Sequence, residues 1–105
     1  MWYNKNMGKG EKNLQNISFQ IIPILRAEGV ENPALFGSFA EGTAKSDSDV
    51  DILVDLPKGK TLFDLVGLKL KLEDKLKRKV DLITYASLSP YLKEIILSKR
   101  KPLYG

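Results

Sequence analysis

The chain has 105 residues, 43% of them apolar and 29% charged, with a formal charge of +4; this suits one small globular domain and is too short for two. It contains no cysteine and no histidine, which excludes disulfides, thiolate metal sites, imidazole-ligated zinc, serine triads and histidine general bases. No run approaches the roughly 18 apolar residues of a membrane helix, and the charge falls short of the dense basic stripe of a nucleic-acid binder, so the expectation is a cytoplasmic protein without membrane or direct nucleic-acid contacts.

Residues 1–12, rich in Asn, Gly and Lys, read as a flexible N-terminal arm, and residues 13–105 as a single domain. Leu14, Ile17, Ile21 and Leu25 recur at helical spacing, which predicts an amphipathic helix over about 12–29 that ends near Gly29. Pro23 lies inside it and is expected to kink or divide it, because proline removes a backbone donor. Ala34-Leu35-Phe36 is a short apolar run stopped by Gly37, the pattern of a buried strand. Residues 38–48 are small and polar and read as a helical turn plus loop. Val50, Ile52 and Val54 alternate with Asp49, Asp51 and Leu53, which is the period of a strand.

Residues 61–77 are ambiguous, since Leu68 to Leu72 alternates with lysine as a strand would. Leu65, Leu68, Leu72 and Leu76 nonetheless share a helical face, and Thr61 is a suitable N-cap, so a helix is predicted. Val80 to Tyr85 is rich in β-branched and apolar residues and predicts another strand. Ser89-Pro90 matches an N-cap followed by proline at the first helical position, opening a helix to about Leu97. The order implies an α/β (α+β) domain: a small mixed sheet of three to four strands packed with helices.

The densest chemistry is Ser46-Asp47-Ser48-Asp49-Val50-Asp51. On a strand, Asp49 and Asp51 project to the same face, where two like charges are costly unless a cation or proton compensates them. A donor set of oxygens alone selects a hard ion such as Mg²⁺ or Mn²⁺. An isolated Asp-x-Asp is more often a solvated turn. A calcium loop starting at Asp47 fails, because Ile52 stands where glycine is needed and Lys58 where glutamate is needed. Upstream, Gly37-Ser38 closes a strand with a turn whose amides and hydroxyl could approach a phosphate.

Leu35-Phe36-Gly37-Ser38, Gly42 and Asp47-Ser48-Asp49-Val50-Asp51-Ile52-Leu53-Val54 together resemble the signature of the DNA polymerase β-like nucleotidyltransferase superfamily, most closely its minimal (MNT) branch. The resemblance extends from about Leu14 to Tyr104 and takes in Lys79-Val80-Asp81-Leu82-Ile83, where the branch places a third carboxylate. It implies the nucleotidyltransferase fold, with Asp49, Asp51 and Asp81 as catalytic and metal-binding residues for two Mg²⁺ ions, Mn²⁺ being an alternative. Gly37 and Ser38 would grip the β and γ phosphates of ATP as substrate, with Ser48 a further contact. One departure stands out: Glu41 occupies a position where many members carry a basic residue, which puts phosphate affinity in doubt, and Lys45 is a candidate substitute.

The branch is typically paired with a HEPN-domain toxin, which the MNT antitoxin adenylylates on a tyrosine. The resemblance therefore implies AMP transfer from ATP to such a partner. Two other readings stand beside it: a non-catalytic module that masks its partner sterically, and nucleotidyl transfer to a small molecule. Homo-oligomerisation is a further expectation, because a chain this short has little room for a substrate-binding domain.

Overall fold

In the computed structural model, residues 9–42 and 48–104 are described, with side chains from residue 16 onward. The first eight residues of the expected arm, Leu14's side chain, and Lys45 to Asp47 lie outside this range. Chain order is α1 (Lys9–Glu28), β1 (Glu31–Phe36), α2 (Ser38–Glu41), β2 (Val50–Asp55), α3 (Leu62–Leu76), β3 (Val80–Thr84), a 3-10 turn at Tyr85–Ser87, α4 (Pro90–Lys99) and β4 (Lys101–Pro102). α1 thus begins inside the segment that composition assigns to the arm.

The four strands form one mixed sheet in the order β3-β2-β1-β4. β1 runs antiparallel to β2 and to β4, while β2 and β3 are parallel and joined through α3. α1 and α3 cover one face. Ile17, Ile21 and Leu25 of α1 and Leu68 and Leu72 of α3 pack on Leu35, Val50, Ile52, Val54, Val80 and Leu82 of the sheet. Leu65 and Leu76 flank this core, so the four-leucine face chosen over the strand reading is the one that packs. The capping box at Thr61 fixes where α3 starts: the Thr61 amide donates to Asp64 Oδ2 at 2.8 Å. That contact holds the Asp64 carboxyl below its ordinary value, mainly through the Thr61 backbone bond.

Pro23 does not divide α1, which is one element from Lys9 to Glu28. The physical reason is placement. Pro23 is exposed, and Phe19, whose carbonyl loses its donor, lies one turn earlier with 83% of its surface exposed. Water can satisfy that carbonyl on the solvent face.

A second proline marks an irregularity. Pro33 is buried in β1, and the β1–β2 register shifts between Glu31 and Ala34, with Asn32 at a positive φ of 49°. A bulge accommodates a residue that has no amide to donate. β4 is a short edge strand in which Pro102 pairs opposite Ala34, and the Leu103 amide donates to Pro33 O at 2.8 Å. Tyr104 closes the C-terminal end, donating to Val30 O at 2.9 Å beneath the Arg26 guanidinium.

Candidate functional site

The site is built where the end of β1 meets the starts of β2 and β3. Ile52 and Val54 hold β2 in the core from one face, so the alternate residues are presented on the other. Register then places three residues in one row: Phe36 of β1 opposite Asp51 of β2, and Asp51 opposite Asp81 of β3. Neighbouring strands lie about 5 Å apart, so the side chains of Asp51 and Asp81 stand side by side. Asp49 sits on the same strand face, one pleat before Asp51 and just ahead of β2.

β1 ends at this row because Gly37 turns the chain. Its φ of 68° and ψ of −144° lie in a region essentially reserved for glycine. The turn also brings the backbone against the carboxylate: a Cβ added at Gly37 would lie 2.3 Å from Asp51 Oδ2. α2 follows as a single helical turn, with the Glu41 amide donating to Gly37 O at 3.1 Å. Ser38, which opens α2, and Ser48, which precedes Asp49, are both half-buried.

Electrostatically the row is strained. The Asp51 carboxyl is pushed above its ordinary value, first by burial, then by the charge of Asp81, then by that of Asp49. The ion pairs among the described residues join Lys60 and Lys71 to Glu28, Lys77 to Asp74 and Lys99 to Glu41, and none includes the three aspartates. A carboxylate that is repelled by two neighbouring carboxylates is the kind of oxygen donor whose charge a hard divalent ion relieves. Among the described residues no three such groups converge closely enough to form a complete metal cage. Mg²⁺ commonly takes one or two carboxylates and fills the rest of its shell with water and substrate phosphates, so a pair of carboxylates would be enough to hold it. Asp49 and Asp51 are the residues that could hold it, whereas Asp81, expected as a third ligand, does not join them in a three-residue cluster.

The structure thus brings Gly37, Ser38, Asp49, Asp51 and Asp81 to one end of the sheet, with Ser48 directly before Asp49. Beside them lies a groove of about 180 Å³ lined by Phe36, Gly37, Glu41, Ile95, Ile96 and Lys99. Sequence reasoning did not include Lys99 or the α4 isoleucines, because their proximity to Gly37 depends on how α4 docks. The signal that could have pointed there was Glu41, an acidic residue at a position where a basic one was expected.

Comparison with known proteins accords with this geometry. A family model described as a nucleotidyltransferase domain matches residues 20–103. A candidate protein adenylyltransferase of Methanocaldococcus jannaschii is 47% identical over 83% of this chain and 94% of its own length. The protein adenylyltransferase MntA of Thermococcus cleftensis is 41% identical over 66% of this chain and 70% of its own. Among solved structures, a candidate minimal nucleotidyltransferase superposes with a TM-score of 0.76 at 33% identity, covering 94% of this chain and 99% of that one. A toxin–antitoxin complex with AMP-PNP gives 0.73 at 31% identity, covering 84% of this chain and 73% of that one. An AMPylated HEPN toxin of Shewanella oneidensis in complex with its MNT antitoxin gives 0.69 at 28%, covering 88% and 72%. The match over residues 20–103 encloses every strand residue and every carboxylate of the site, and the chain belongs to this family: it is a nucleotidyltransferase.

Proposed function

We propose that this nucleotidyltransferase transfers AMP from ATP to a HEPN-domain partner protein, using Mg²⁺ held at Asp49 and Asp51. The observation that carries the reading is the carboxylate row packed against Gly37, with Asp51 driven above its ordinary pKa by burial and by its two neighbours. Similarity to a HEPN–MNT complex whose toxin carries AMP supports the choice of acceptor. Two helical surfaces also suit a protein partner: Leu62, Phe63, Val66 and Leu70 on α3, and Tyr91, Leu92 and Ile95 on α4, are exposed.

In this reading Gly37 and Ser38 receive the outer phosphates, and Ser48 is a further contact. The close approach at Gly37 fixes the Asp51 carboxylate beside them. Two bound divalent ions would stabilise the attacking and leaving oxygens of an in-line displacement. Asp81, on the far side of Asp51 from Gly37, positions the acceptor hydroxyl and takes up its proton. The acceptor oxygen bonds to the α-phosphorus, the bond from that phosphorus to the bridging oxygen breaks, and pyrophosphate leaves. The resemblance implies a tyrosine as the acceptor.

The test is incubation with Mg²⁺, α-labelled ATP and the HEPN-domain partner, followed by mass spectrometry. The partner should gain AMP with wild type, and not with an Asp49→Asn/Asp51→Asn variant. Equal labelling by both would remove the aspartates from the mechanism. Neutralisation of the partner without any labelling would favour steric masking instead.

A further inference from the structure

Lys99 lies at the mouth of the groove beside Gly37, with its Nζ 3.5 Å from Glu41 Oε1. We propose that Lys99 is a binding residue for the terminal phosphates of the nucleotide, and that α4 thereby supplies the cation that α2 lacks. The inference rests on the nucleotide-site reading above.

Three observations converge on it. Gly37 belongs to both places: it abuts the Asp51 carboxylate and it lines the groove. In this proposal a nucleotide whose α-phosphate sits over Asp49 and Asp51 would place its outer phosphates beside Gly37, on the side of Glu41. The groove's volume of about 180 Å³ leaves room for phosphate oxygens and their hydration. Finally, Glu41 by itself would repel an anion there, as would the carbonyl end of α4, where Lys99 is the last helical residue. The Lys99 ammonium offsets both. Its side chain keeps 61% of its surface exposed, and Glu41 keeps 50%, so neither is locked into packing.

An alternative is that the pair only fastens α4 to α2. Exposed pairs contribute little to stability, and a fastening role would not depend on how many phosphates the ligand carries. The experiment separates the two. Dissociation constants for MgATP, MgADP and AMP are measured by calorimetry at low salt for wild type, Lys99→Ala and Lys99→Ala/Glu41→Arg, together with each ligand-free melting temperature. Lys99→Ala should weaken MgATP by about fivefold to tenfold and AMP by less than about twofold. The melting temperature should hold, and the double variant should recover most of the MgATP affinity, because the introduced guanidinium returns a cation to the same groove. Equal weakening for ATP and AMP, or no recovery in the double variant, overturns the role of Lys99. Failure of wild type to bind MgATP at all overturns the nucleotide-site reading as well.

Discussion

Replacing Asp51 with asparagine is expected to raise the stability of the ligand-free protein at neutral pH while removing nucleotidyl transfer. Asp51 lies between Asp81 on the adjacent parallel strand and Asp49 on its own strand face. Its carboxyl is raised from the ordinary value of 3.8 by burial first, then by Asp81 and Asp49. A folded-state pKa above the unfolded one means that the native state favours the neutral acid. Whatever stability the protonated group contributes is present below the unfolded value and is lost as pH rises through the folded value. At pH 7 the charged form is therefore a liability, and asparagine removes it with almost no change in volume. Like charges facing one another across strands cost roughly 0.2–1 kcal/mol, or about 1–8 °C in a domain of this size. Thermal unfolding should show that gain at pH 7 and a shrinking gain as pH falls toward the ordinary carboxylate range. Transfer should fall by at least about a hundredfold, because the proposed site would lose one of the two carboxylates that would hold Mg²⁺. A variant less stable than wild type at pH 7 would mean that the carboxylate is held by favourable contacts, contrary to the strain described.

Gly37→Ala is expected to damage both fold and site. The backbone there has φ 68° and ψ −144°, and the new Cβ would lie 2.3 Å from Asp51 Oδ2, closer than any non-bonded carbon and oxygen approach. The strained backbone costs about 1–3 kcal/mol, and the carboxylate must move away from the position where it would hold metal. Displacements of this size at a reacting centre cost on the order of a hundredfold in rate. Gly42→Ala is the matched control. Gly42 also has a positive φ, 76°, yet a Cβ there meets nothing within 4 Å. It should lose about 1 kcal/mol and keep most of its transfer activity. Equal activity losses in the two variants would show that backbone strain, and not the approach to Asp51, accounts for the Gly37 effect.

Much of this arrangement was legible in the residues themselves because it rests on short-range periodicity. The two-residue repeat of Val50, Ile52 and Val54 locates β2 and puts Asp49 and Asp51 on the face opposite the helix-covered core. The leucine face of α3 was decided correctly against an alternating Leu-Lys pattern, because Leu68 and Leu72 had a sheet to pack on. The Ser89-Pro90 start of α4 also held, with Ser89 Oγ accepting from the Leu92 amide at 3.3 Å.

The parts that were not legible depend on tertiary placement. The effect of Pro23 turned on whether its helix face met water or protein. β4 is two residues long and contains a proline, so no local pattern announces it; its existence depends on an open edge of β1. The row Phe36–Asp51–Asp81 is a fact of register between strands distant in sequence. So is the meeting of Glu41 with Lys99, of which the sequence reading singles out only Glu41, as a departure from the family pattern.

If the aspartates beside Gly37 form a metal-dependent nucleotide site, ATP binding must depend on a divalent ion and on those carboxylates together. Isothermal calorimetry of the isolated chain with ATP, in Mg²⁺ and then in excess chelator, tests this most directly. Wild type should bind ATP with Mg²⁺ present and lose at least about tenfold in affinity without it, while the Asp49→Asn/Asp51→Asn variant should show no metal dependence. ATP binding that is unchanged by chelation, or a variant that retains the full Mg²⁺ effect, would contradict the metal-dependent site.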